Sequence, residues 1–128
     1  MKIIYISYIR SILEQSCQVW NFSLTEENEK DLERVQKNAF QIILGGKYTT
    51  YESALNILNL NDLKARRDYL CKKFAIKCTE NKNTKNMFEL NDAIDKNLKS
   101  REKYKIEFAR TERYRRSTIP QMQRLLNT

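Results

Sequence analysis

This 128-residue sequence has no histidine, only two glycines and a single proline. Without histidine, neither a Ser–His nor a Cys–His nucleophile pair can form, and a Cys–His zinc site cannot be completed. The two glycines, Gly45 and Gly46, are adjacent and follow a helical pattern, as a stop signal does, rather than preceding a helix as a phosphate-cradling loop does. So few residues suited to positive φ angles disfavour hairpin turns and favour an all-helical chain. The cysteines (Cys17, Cys71 and Cys78) are odd in number and lack metal-ligand spacing, so they read as reduced thiols of an intracellular protein, cytoplasmic or nuclear. The apolar start, Ile3, Ile4, Tyr5 and Ile6, is interrupted by Arg10 and Glu14. It is too short for a membrane span and shows no cleavage signal.

Carboxylates are present but badly placed for catalysis. No Asp–Asp pair occurs, and Glu26, Glu27, Glu29, Asp31 and Glu33 cluster at a helix start. Acids there complement the helix dipole, whereas two-metal chemistry needs carboxylates converging on a pair of ions. The expectation is therefore no catalytic residue, no metal, no cofactor and no small-molecule substrate. Any activity would be binding.

The sequence does hold an excess of positive charge, unevenly spread. The net charge is +8. Residues 96–124 hold ten basic side chains (Lys96, Lys99, Arg101, Lys103, Lys105, Arg110, Arg113, Arg115, Arg116 and Arg124) against Glu102, Glu107 and Glu112. That stretch carries +7 of the total. A like-charged tail on a near-neutral body suits a polyanion partner, and it equally suits a solvated, solubilising tail.

Helical periodicity organises the rest. One helix is expected from Lys2 to Cys17, with Tyr5, Ile6, Ile9, Ile12 and Leu13 on a wide apolar face. Ser23 or Thr25 followed by early acids marks the start of a second helix, which the two glycines end. Thr50 caps a short third helix. Asn61 or Asp62 opens a fourth that runs to about Thr79, and 80–86 reads as a loop. Met87, Phe88 and Leu90 form a small apolar patch. Pro120 suits the first turn of a last short helix, Ile119 to Leu126. The predicted core is Ile9, Leu13, Trp20, Leu32, Val35, Ile42, Leu55, Leu58, Leu63, Leu70 and Phe74. The whole reads as an all-α fold: a bundle of about four helices over residues 1–90, with a basic, less regular extension over 91–128.

Within the tail, Tyr104, Phe108 and Tyr114 alternate with Lys103, Lys105, Arg110, Arg113, Arg115 and Arg116. Guanidinium forks pair with phosphate, and aromatic rings stack on unpaired bases. The same rings could instead anchor the tail on the helical body.

Several segments, in order, carry a resemblance. They are Tyr8-Ile-Arg-Ser-Ile-Leu-Glu14 with Val19-Trp20, Ser23-Leu-Thr-Glu-Glu-Asn28, and Leu32-Glu-Arg-Val-Gln-Lys37 with Ile42-Ile-Leu-Gly45. Tyr51-Glu-Ser-Ala-Leu55, Arg66-Arg67, Leu70-Cys71 and Phe74-Ala75 continue the series, and Thr111-Glu-Arg-Tyr114 and Ser117-Thr-Ile-Pro120 through Arg124-Leu-Leu-Asn127 end it. Together they resemble the region downstream of the polymerase core in reverse transcriptases of jockey-like non-LTR retrotransposons. No single motif is decisive; the shared order and spacing carry the likeness over nearly the whole chain. Gln15 departs from it, standing where the family typically has an aromatic residue, as in a diverged or decaying copy.

The resemblance implies a thumb-like and post-polymerase segment of an RNA-directed DNA polymerase that binds RNA or DNA backbone, either the element's RNA or a template–primer duplex. The family's catalytic aspartates lie upstream of this region and have no counterpart here, and Met1 reads as an opportunistic start in a broken element. Arg66, Arg67, Arg110, Arg113, Arg115 and Arg116 are the expected nucleic-acid-binding positions. The alternative expectations are a helical structural or protein-interaction fragment, or a pseudogene product without function.

Overall fold

A computed structural model describes residues 1–91 and 102–128. The chain is all-α: the described residues are mostly helical and contain no strand, only an isolated antiparallel bridge between Leu90 and Tyr104. Lys96, Lys99 and Arg101, part of the expected basic tail, lie outside the described residues.

Helix starts follow the cap signals. The Thr25 side chain accepts from the amide of Asn28 and opens helix Glu26–Leu44. Thr50 does the same for Tyr51–Leu58 through the amide of Ser53. Such caps satisfy amides that the first helical turn leaves without partners. Gly45, at φ +53, ends the 26–44 helix in a backbone region that glycine enters without a side-chain penalty. Asn59, at φ +50, ends the 51–58 helix in the left-handed region that asparagine tolerates best among other residues. The first expected helix is interrupted. Lys2–Ile4, the π-helical Tyr5–Arg10 and Ser11–Glu14 follow one another. The backbone then breaks at Ser16, φ +52, before Cys17–Trp20 resumes. Helix Leu63–Glu80 follows, and Thr118–Asn127 takes Pro120 inside its first turn, where a missing N–H costs no hydrogen bond.

The chain forms two compact units. The first comprises residues 1–17 and 24–68, the second 18–23 and 69–128. This division differs from the one expected near residue 90. The basic segment is not an appendage, because its last helix helps to build the second unit's core.

In the first unit Tyr5, Ala39, Phe40, Ala54 and Leu58 are buried together. Phe40 meets Tyr5 edge-on at a centroid separation of 5.6 Å and stacks with Tyr51 at 5.9 Å. Aromatic pairs in these geometries add to the free energy of area burial. In the second unit Ala75, Phe88 and Met122 are buried, with Phe22, Cys78, Tyr104 and Leu126 packed against them. Of the small apolar patch Met87, Phe88 and Leu90, Phe88 is buried in this core, while Met87 and Leu90 stay exposed.

The predicted core needs correction at four positions. Ile9, Val35, Ile42 and Phe74 are all exposed, Phe74 by 42%. On the 26–44 helix the buried stripe is Gln36, Ala39 and Phe40, rotated toward a polar residue that hydrophobic periodicity passes over. On the 63–80 helix the buried positions are Leu63, Arg67, Cys71 and Ala75, spaced four apart. An arginine within that stripe misleads the pattern in the same way. Leu58 and Leu63 are buried as expected; Leu13, Trp20, Leu32, Leu55 and Leu70 are half-buried.

Candidate nucleic-acid interface

The second unit holds the charge excess. Fifteen basic and seven acidic residues fall within 18–23 and 69–128, against nine of each in the first unit. The net +8 of the chain therefore belongs to the second unit.

Its backbone at Tyr104 and Glu107 is held by amide side chains of the last helix. Asn127 accepts from the Tyr104 amide at 2.8 Å and donates to the Tyr104 carbonyl at 3.0 Å. Gln123, buried, accepts from the Glu107 amide and donates to the Met87 carbonyl, both at 2.9 Å. Lys105 donates its amide to the Glu89 carbonyl. Along this segment Ile106 and Ala109 turn partly inward, while Lys105, Phe108 and Arg110 are exposed. Thr111 then caps the one-turn helix Glu112–Arg115, accepting from the Tyr114 amide at 3.2 Å.

The arginines divide by environment. Arg113 and Arg116 line a cleft of about 510 Å³ together with Val19, Ser23, Glu112, Ser117 and Thr118. Both guanidinium groups are at the surface, and Arg110 is exposed in the preceding bend. Arg110 and Arg113 make no ion pair among the described residues. Arg115 faces Glu112 at 3.6 Å across one turn, an exposed pair of the kind that contributes little to stability and yields readily to a competing anion. Its carbonyl accepts from Gln121 and Arg124, which ties the short helix to the last one.

The other two expected cations stand in the first unit. Arg67 is 1% exposed, so it is a core residue and does not present a surface charge. This corrects its assignment as a phosphate contact: its place in the four-residue stripe of the 63–80 helix turns it inward. Arg66 is half-buried and sets its Nε against the Glu14 carboxylate at 3.2 Å, and Arg10 sits on the same carboxylate at 2.7 Å. Glu14 thus holds two arginines in a structural role that the sequence pattern does not reveal.

The three tail aromatics take different parts. Tyr104 is half-buried and packs on the second core, as an anchor does. Tyr114 donates its hydroxyl to the Glu107 carboxylate, and that bond raises the phenol above its ordinary pKa. Phe108 is 90% exposed and anchors nothing.

Sequence patterning also passes over a polar network in the first unit. The Tyr5 hydroxyl donates to the side-chain oxygen of Gln36, which is fully buried. The Gln36 amide donates to the Tyr51 hydroxyl at 2.8 Å and to the Asn61 carbonyl at 3.2 Å. Tyr51 donates to Glu33, and the other Glu33 oxygen accepts from the Lys64 amide at 3.1 Å, capping the 63–80 helix from outside. Burial pushes the Tyr5 phenol up to about 12, and burial with the Glu33 hydrogen bond raises Tyr51 further. Two tyrosines, a glutamine and a glutamate at these positions form no contiguous motif, so only the fold assembles them. Beside the network lies a mixed-charge cleft of about 500 Å³ whose walls include Glu29, Glu33, Lys37, Tyr51 and Lys64.

Among the described residues, no group of three or more Cys, Asp or Glu is placed to hold a metal ion, and no helix is long and apolar enough to cross a membrane. No family model, no curated protein and no solved structure matches the chain.

Proposed function

We propose that this chain is a nucleic-acid-binding module, the thumb-like and post-polymerase region of a jockey-like non-LTR retrotransposon reverse transcriptase, acting by binding and not by catalysis. The observation that carries the binding is the segregation of charge: a balanced first unit and a second unit with the whole +8 excess. The contacts are assigned to Arg110, Arg113 and Arg116, whose surface guanidiniums suit bidentate pairing with phosphate, and to Arg115 once Glu112 is displaced. Arg66 and Arg67 have structural roles. The parentage rests on the ordered sequence resemblance.

Fluorescence anisotropy with labelled RNA and DNA, titrated from low to physiological salt, tests the binding. Phosphate contacts release condensed counterions, so affinity should fall linearly on a log–log plot. Each phosphate neutralised contributes about −0.9 to the slope on duplex DNA and about −0.7 on single strands. Binding that is absent at every salt concentration would contradict the proposal.

A further inference from the structure

We infer that the second unit is built for single-stranded nucleic acid, with Phe108 as a stacking platform for an unpaired base; this rests on the nucleic-acid reading above and deepens it. Three observations converge. Phe108 is 90% exposed, so packing gives no account of its place. It stands between the exposed cations Lys105 and Arg110, in a segment whose neighbouring amides are held by Glu89 and Gln123. The ring is therefore presented from a fixed backbone and not from a loose end. The cleft of Arg113 and Arg116 follows within a few residues and carries two surface guanidiniums on its wall, with Glu112 beside them.

This spacing of charge and ring matches the chemistry of one ligand class. A single strand presents phosphates and bare base faces together, and a ring with adjacent cations engages both. A duplex hides its base faces in the stack and offers this surface only phosphates. Every base has a π-face, so the platform is sequence-tolerant. The occupant is a single-stranded segment, RNA or DNA, with one base on Phe108 and the following phosphates toward Arg110, Arg113 and Arg116.

The test uses the full chain and four probes of equal length: a mixed-sequence RNA strand, the same strand as DNA, its duplex, and a DNA strand with abasic sites throughout. Phe108→Ala should weaken binding to both intact single strands by about 5- to 150-fold, the range of one base–aromatic stack. It should leave duplex and abasic binding, and the salt slope on every probe, unchanged. Phe108→Trp should restore single-strand binding. The residue is at the surface, so both variants fold, and circular dichroism verifies it. A Phe108→Ala variant that binds intact strands as the parent does, or that weakens duplex and abasic probes equally, would overturn the inference while leaving the nucleic-acid reading standing. Failure of the parent chain to bind any probe would overturn both.

Discussion

The two units of this chain use polar residues in opposite ways. The first has equal numbers of basic and acidic residues and turns its polar groups inward: Gln36 is fully buried between Tyr5 and Tyr51, Glu33 caps a neighbouring helix, and Glu14 holds Arg10 and Arg66. The second has a small apolar core around Phe88 and Met122 and turns its cations outward, with Arg110, Arg113 and Arg116 at the surface. One unit balances its charge and draws part of it into its own framework, and the other carries a net excess at its surface. Net charge over the whole chain hides this difference; charge counted per folded unit exposes it.

The largest effects should come from the first unit's interior. Phe40 is fully buried and touches both Tyr5 and Tyr51, so we predict that Phe40→Ala costs about 3–5 kcal/mol in urea denaturation. Phe74→Ala on the exposed side of the 63–80 helix should cost far less, about 1 kcal/mol or below. Equal losses for the two would show that the buried stripe has been misplaced.

Alkaline pH should strike the same unit. The Tyr5 phenol is held up to about 12 against an ordinary value near 10. Between those values the unfolded chain has released a proton that the folded chain retains, so stability falls as pH rises. The loss should begin near pH 10 and reach about 2–3 kcal/mol for Tyr5 alone by pH 12, with Tyr51 adding in the same direction. Denaturation midpoints at stepped pH measure it, and Tyr5→Phe should flatten the profile. A parent profile that stays level from pH 10 to 12 would contradict the buried network.

Smaller still is the expected cost of Gln36→Leu, about 1–3 kcal/mol, because the Tyr5 hydroxyl and the Asn61 carbonyl each lose a buried partner. A neutral result in thermal denaturation would mean that water or a rearranged side chain satisfies those groups.

These contrasts also mark where sequence is informative. Thr25, Thr50, Gly45 and Pro120 place helix boundaries through local chemistry, so the boundaries were legible within a few residues. Which stripe each helix buries was less so. Gln36 and Arg67 occupy core positions that a hydrophobicity pattern assigns to the surface, and the same pattern turns Val35, Ile42 and Phe74 inward in their stead. Polar residues enter the interior only when partners from other helices meet them, and such meetings are long-range. The same limit applies to the candidate interface. Four of the six expected arginines belong to the unit with the charge excess because charge density is a local property. Arg67 is buried and Arg66 meets Glu14 because the surroundings of both come from elsewhere in the chain. Phe108 stood among three candidate aromatics, and only its exposure separated it from Tyr104.

The central claim is that binding resides in the placed arginines of the second unit and not in net charge. It is tested by comparing two variants of equal charge by anisotropy on one labelled single strand across a salt series. Arg113→Ala with Arg116→Ala should lower affinity and flatten the log–log salt slope by about 1.4, the contribution of two phosphates on a single strand. Lys30→Ala with Lys37→Ala removes the same charge from the first unit and should leave the slope at the parent value. Equal flattening by both pairs would show that the chain binds as a diffuse polycation, and that the division between its units has no part in recognition.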